Sequence, residues 1–214
     1  VAVGDHGKLA TSTDGITWTQ RTSSFDSTAI QSVTYGNNMF VAVGGSGKLA
    51  TSTNGTTWTQ RTSSFDSTTI QSVAYGNNMF VAVGGSGKLA TSTNGTTWTQ
   101  RTSSFDSTAI QSVTYGNNIF VAVGDHGKLA TSTDGITWVQ RTSSFSGTAI
   151  YGVAYGNNIF VAVGDYGKLA TSTNGTTWVQ RTSSFDNKRH INSVFYGDGM
   201  FVAVGDYGQL ATLS

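Results

Sequence analysis

The tetrapeptide Val-Ala-Val-Gly returns at Val1, Val41, Val81, Val121, Val161 and Val202, so the chain nearly overlays itself under a shift of 40 residues. A period in this range marks an array, in which each unit is one supersecondary motif that cannot bury its apolar face alone. The last interval is one residue longer, because Asp186-Asn187-Lys188-Arg189-His190 stands where an earlier unit carries Asp26-Ser27-Thr28-Ala29. Residues 41–80 and 81–120 differ only at Thr69/Ala109, Ala74/Thr114 and Met79/Ile119, which implies recent duplication or deliberate design. Residues 1–214 therefore read as a single repeat domain, with units beginning near 1, 41, 81, 121, 161 and 202.

Each unit holds four short segments of period-two or β-branched character, separated by turn residues. In one full unit, taken from Ala29 to Thr62, segment A is Ile30 to Tyr35, and Gly36-Asn37-Asn38 after it tolerates the positive φ of a tight hairpin. Segment B, Phe40-Val41-Ala42-Val43, is apolar on both faces, as a strand covered on both sides must be. Segment C, Lys48 to Ser52, follows Gly44-Gly45-Ser46-Gly47, and segment D, Thr57 to Thr62, follows the hairpin signal Asn54-Gly55. Short connections make the unit a four-stranded antiparallel meander. With a repeat near 40 residues, that is the pattern of a β-propeller blade.

The turn between C and D reads Ser12-Thr13-Asp14-Gly15-Ile16-Thr17-Trp18 and returns at Ser52, Ser92, Ser132 and Ser172. It resembles the Asp-box, or bacterial neuraminidase repeat, Ser-x-Asp-x-Gly-x-Thr-Trp. The residue between Asp and Gly is missing here, and Asn54, Asn94 and Asn174 replace the aspartate that Asp14 and Asp134 keep. The resemblance implies an all-β propeller in which this turn is structural. It also assigns Trp18, Trp58, Trp98, Trp138 and Trp178 to packing between blades. Sialidase chemistry, as the resemblance would supply it, needs a Glu base and converging arginines. This chain has no Glu, and Arg21, Arg61, Arg101, Arg141 and Arg181 recur at one position of the outer strand.

Counting segments gives five A, six B, six C and five D. A closed ring needs equal numbers, which favours five blades: strand D of residues 16–22 would complete the sheet begun by residues 190–213. Residues 1–13 would then be a surplus hairpin. Six blades, with the first lacking A and the last lacking D, is the alternative. Near-identical units specify register weakly, so the expected state is a monomer or a strand-exchanged dimer.

Charged residues are only 11%, all eleven acids are Asp, and Pro and Cys are absent. Disulfides and thiol chemistry are thereby excluded. The formal charge of +1 comes from evenly spread Lys and Arg, without the basic stripe that nucleic acid demands, and no apolar run is long enough to insert in a membrane. Gly4 to Leu9 has the wrong glycine spacing for a phosphate loop. His6, His126 and His190 have no second His, Cys or Glu at ligand spacing, so neither a metal nor another cofactor is expected.

Variation is concentrated at the tip of the B–C turn: Asp5-His6, Gly45-Ser46, Gly85-Ser86, Asp125-His126, Asp165-Tyr166 and Asp206-Tyr207. In a meander these tips share a face with the D–A connections, including Lys188-Arg189-His190. Carboxylates beside imidazole or phenol rings suit a shallow polar site. The expected function is a non-catalytic binding module for carbohydrates or cell surfaces, with glycans or surface proteins as partners at an extracellular, bacterial or phage surface. A structural or protein-interaction scaffold, natural or designed, is the alternative.

Overall fold

The computed structural model describes residues 1–213. Among them, 22 strands form six antiparallel sheets, joined in chain order, and no helix is long and apolar enough to cross a membrane. The first sheet has β1 (Ala2–Val3), β2 (Leu9–Thr11) and β3 (Thr19–Arg21). The second has β4 (Ile30–Gly36), β5 (Met39–Gly44), β6 (Leu49–Ser52) and β7 (Thr59–Arg61). The third repeats this with β8 (Ile70–Gly76), β9 (Met79–Gly84), β10 (Leu89–Ser92) and β11 (Thr99–Arg101). The fourth holds β12 (Ile110–Gly116), β13 (Ile119–Gly124), β14 (Leu129–Ser132) and β15 (Val139–Arg141). The fifth holds β16 (Ile150–Gly156), β17 (Ile159–Gly164), β18 (Leu169–Ser172) and β19 (Val179–Arg181). The sixth holds β20 (Ile191–Gly197), β21 (Met200–Gly205) and β22 (Leu210–Leu213).

Turn chemistry sets these boundaries. Asn37 and Asn38 sit at φ 46° and 55°, the left-handed pair that closes a two-residue hairpin with the twist of its strands. In the B–C turn Ser46 takes φ 53° while Lys48 donates its N–H to the Gly45 carbonyl, closing one 3₁₀ turn. At the C–D turn, Asn54 Oδ1 accepts the N–H groups of Thr56 and Thr57 at 2.9 Å each. The Trp58 indole donates to the Gly55 carbonyl at 3.0 Å, which turns the ring inward.

Alternation along the strands makes the blades stack. In β5, Val41 and Val43 point forward and, with Leu49, meet Phe80, Ala82 and Ala90 of the third blade. Phe40, Ala42 and Ala50 point backward against Leu9, with Trp58 alongside. Each blade thus offers a bulky Val-Val-Leu face to a Phe-Ala-Ala face whose small residues leave room for the tryptophan. The glycine ending each inner strand serves the same contact: a Cβ on Gly36, Gly76, Gly116 or Gly156 would collide with the ring of Tyr75, Tyr115, Tyr155 or Tyr196 one blade on.

The structure corrects the expected blade number to six. Strand β3 pairs with β2 through Leu9↔Arg21, Ala10↔Gln20 and Thr11↔Thr19, so residues 1–13 belong to the first blade and are not surplus. The reason is local. Leu210-Ala211-Thr212 repeats the tripeptide Leu9-Ala10-Thr11 and would offer β3 the same ladder, but the C–D turn already holds β3 beside β2 at a far smaller loop-closure cost. Ser12 and Asp14 fix that turn by accepting the N–H groups of Gly15, Ile16 and Thr17. The two ends of the array do not bury one another: Trp18 is 48% exposed, Val204 41% and Leu210 63%, where the equivalent Trp58, Val163 and Leu49 are 9%, 0% and 0%.

Candidate functional site

Four of the six B–C tips carry an aspartate and a ring: Asp5-His6, Asp125-His126, Asp165-Tyr166 and Asp206-Tyr207. The ring residue always occupies the left-handed position, with φ between 55° and 56°, and is exposed in all four. Such a backbone lifts the side chain off the sheet. Tyr166 is 54% exposed and Tyr207 86%.

The aspartates are placed differently. Asp125 accepts from Gln111 Nε2 at 2.9 Å, and Asp206 from Asn192 Nδ2 and the His190 N–H at 3.0 Å each. Asp165 accepts the Tyr151 hydroxyl at 2.7 Å and the Ala149 N–H at 2.9 Å. These carboxylates therefore brace the start of the inner strand against the turn. The hydrogen bonds from Asn192 and His190, with the nearby positive charge of Arg189, hold the Asp206 carboxyl below its ordinary range. Burial, together with the Asp165 contact, pushes the Tyr151 hydroxyl up to about 12, so it remains a donor across the neutral range.

Side chains that the tip pattern alone did not reveal complete the cluster. Nδ1 of His190 lies 2.9 Å from Asp165 Oδ1, at an angle that makes this a polar contact and not a hydrogen bond. Its ring meets Tyr151 edge-on at 5.9 Å and Tyr166 at 6.2 Å. The Arg189 guanidinium sits 4.0 Å from the Tyr207 ring centroid. Blades five and six thereby bring Asp165, Tyr166, Asp206 and Tyr207 together, whereas Asp5-His6 and Asp125-His126 stand on other blades. The missing signal was present in the inner strand, where Gln31, Gln71 and Gln111 give way to Tyr151 and then Asn192.

The C–D residues Asp14, Asn54, Asn94, Asp134 and Asn174 lie at the other end of the strands and cap their own turns through backbone N–H groups. Trp58, Trp138 and Trp178 are 9% exposed between blades and Trp98 is half-buried. The arginines do not converge: each of Arg21, Arg61, Arg101, Arg141 and Arg181 donates from Nε to a threonine of the adjacent strand at 2.9 Å. Among the described residues no three His, Cys, Asp or Glu side chains gather at metal-binding distance.

Comparison with known proteins gives the same architecture. No curated protein sequence matches the chain. Among solved structures, a YCF48 protein bound to a D1 peptide superposes with a TM-score of 0.66 at 19% identity, over 86% of this chain and 64% of that one. This chain thus spans a little under two thirds of that protein. Virginiamycin B lyase from Staphylococcus aureus superposes with a TM-score of 0.77 at 12% identity, over 99% and 82% of the two chains. The computationally designed Ika8 protein gives 0.66 at 16% identity, over 87% and 58%. Identities this low establish a shared fold and nothing finer. Residues 63–190 match the DUF6242 beta propeller domain, which makes this chain a member of that family.

Proposed function

We propose that the chain is a non-catalytic recognition module that binds polar ligands, carbohydrate hydroxyls foremost, on the face carrying the B–C tips. The observation behind this is the placement of Tyr166 and Tyr207: exposed rings on left-handed turns, each anchored by an aspartate and grouped with Arg189 and His190 on adjacent blades. Ring faces stack on apolar sugar faces, and the flanking polar groups address hydroxyls. The Gly45-Ser46 and Gly85-Ser86 blades lack both groups and bind weakly or not at all. The Asp-box likeness of the C–D turns is a scaffold feature in this reading. Low charge and abundant Ser and Thr suit a module displayed at an extracellular, bacterial or phage surface, where several weak sites on one array gain avidity.

A polypeptide ligand is the second reading. It is favoured by the Arg189–Tyr207 pair, a guanidinium stacked on an exposed ring beside Asp186, and by the fold shared with a YCF48 protein solved with a peptide. A glycan array followed by titration separates the two. Because the aspartates brace the inner strands, the informative variant keeps them and replaces only the rings, as His126→Ser, Tyr166→Ser and Tyr207→Ser. Ser46 and Ser86 already occupy that backbone conformation, at φ 53° and 54°. Glycan binding should fall roughly tenfold or more with an unchanged melting temperature. Equal binding by parent and variant refutes the face assignment, and no glycan binding by the parent refutes the carbohydrate reading.

A further inference from the structure

Asparagine is followed by glycine at three places, Asn54-Gly55, Asn94-Gly95 and Asn174-Gly175, and all three are C–D turns. Glycine leaves the backbone nitrogen after the asparagine unshielded by any side chain. Around Asn54 the turn gathers the groups that an attack of this nitrogen on the side-chain amide requires. Asn54 Oδ1 accepts the N–H groups of Thr56 and Thr57 at 2.9 Å each and the Ser52 hydroxyl at 3.1 Å, so one carbonyl oxygen has three donors. The same Ser52 Oγ accepts the Gly55 N–H at 2.9 Å. Ser52 thus stands between the nitrogen that must lose a proton and the oxygen that must gain one. Its side chain is buried, at 4% exposure, while Asn54 is exposed, so the relay is shielded and water still reaches the amide. The Asn174 turn repeats these bonds through Ser172, and the Asn94 turn repeats the three to Oδ1.

We propose that the turns at Asn54 and Asn174 are self-deamidating sites, in which a buried serine hydroxyl and two backbone N–H groups convert each asparagine to aspartate. In the first step Gly55 N bonds to Asn54 Cγ; the Gly55 proton passes to Ser52 Oγ and the Ser52 proton to Oδ1, giving a neutral tetrahedral adduct. The N–H groups of Thr56 and Thr57 stabilise the charge that builds on Oδ1, as an oxyanion hole does. The adduct collapses by breaking the Cγ–Nδ2 bond: the Oδ1 proton moves to the departing nitrogen, ammonia leaves and a succinimide remains in the chain. Water then adds to Cγ, the carbonyl that those N–H groups still polarise. The Cγ–N bond breaks with a proton returned to nitrogen, which restores the backbone amide and leaves a side-chain carboxylate. The chain already carries this product. Asp14 and Asp134 occupy the same turn and accept the equivalent N–H groups at 2.8 Å. Those bonds hold both carboxyls down to about 2, so the turn favours an anion over a neutral group. Two conversions add two negative charges, taking the formal charge from +1 to −1, at the end of the strands opposite the ring-bearing tips.

The test incubates the 214-residue chain at neutral pH beside a synthetic peptide of residues 49–61, which has the Asn-Gly step without the folded turn. Peptide mapping by mass spectrometry follows each turn separately, and ammonia release gives the total. Asn54 and Asn174 should convert roughly tenfold or more faster in the protein than in the peptide, the contribution expected of a positioned proton relay. Aspartate should exceed isoaspartate, because water attacks the carbonyl that the turn polarises. Ser52→Ala should return Asn54 to about the peptide rate and leave Asn174 unchanged, so the untouched turn reports on the integrity of the fold. A protein rate equal to or below the peptide rate overturns the proposal. So does an Asn54 rate that Ser52→Ala leaves unchanged, and so does isoaspartate as the main product.

Discussion

Trp138 and Trp18 occupy equivalent turns, and replacing each by alanine isolates what blade-to-blade packing contributes. Both indoles donate to the glycine carbonyl three residues back, at 2.9 Å for Trp138 and 3.1 Å for Trp18, so the hydrogen-bond loss cancels in the comparison. Burial does not cancel. Trp138 is 9% exposed and touches Phe120 at a ring separation of 6.4 Å, while Trp18 is 48% exposed. Taking about 200 Å² for a tryptophan side chain and about 25 cal/mol per Å², full burial is worth roughly 5 kcal/mol. Scaling by exposure leaves about 4.5 kcal/mol for Trp138 and about 2.6 kcal/mol for Trp18. The expected difference is therefore about 2 kcal/mol, and a cavity left unfilled between blades three and four enlarges it. Urea denaturation followed by far-ultraviolet circular dichroism measures both. A repeat array need not unfold in one step, and loss of one interface exposes its two neighbours, so Trp138→Ala should also split or broaden the transition. Equal losses for the two variants, or a loss below about 1 kcal/mol for Trp138→Ala, would refute the packing argument.

The Asp14 and Asp134 carboxyls are held down to about 2 from 3.8, chiefly by backbone N–H groups of Thr17 and Ile16 in one turn and of Thr137 and Ile136 in the other. A depressed folded-state value means their stabilisation is present above about 4 and lost as pH falls through about 2. The double variant Asp14→Asn with Asp134→Asn should melt with a flatter pH dependence between those limits; an unchanged acid slope contradicts this. Gly76→Ala should cost much more stability than Gly197→Ala, because the first Cβ meets the packed ring of Tyr115 and the second meets only the exposed end of Phe195. Thermal melts in which the two variants fall equally would show that the tyrosine stack is dispensable.

The strands and turns of each unit were legible because they rest on interactions within about a dozen residues. Asn37-Asn38 needs only its own hairpin, and the alternation of Phe40, Val41, Ala42 and Val43 needs only a sheet covered on both sides. The blade number was not legible, because the choice lay between two chemically identical partners. Strand β3 could pair with Leu9-Ala10-Thr11 or with Leu210-Ala211-Thr212, and no side chain distinguishes them. Chain connectivity decided in favour of the neighbour, a distinction that strand counting omits.

The candidate site shows the reverse case, in which identity of the units hides chemistry until they are placed side by side. Read along the sequence, Asp165-Tyr166 and Asp206-Tyr207 are the same tip in two copies. In three dimensions they differ, because the one-residue longer segment before β20 carries His190 onto Asp165 of the preceding blade and Arg189 onto Tyr207 of its own. The Gln→Tyr change at Tyr151 acts within blade five, ending at Asp165, and sets the tyrosine ring edge-on against His190 across the seam. A contact between blades joins residues of two different units, so no motif within one unit can contain it. In a near-perfect repeat, a surface peculiar to one blade has to come from such departures, since an unbroken repeat gives every blade the same surface. Tyr151→Gln together with His190→Ala should return Asp165 to the surroundings that Asp125 has beside Gln111. Titration with a ligand identified on the glycan array should then show weaker binding at unchanged melting temperature. Binding that survives the pair of substitutions would mean that the departures are neutral drift and that each blade acts alone.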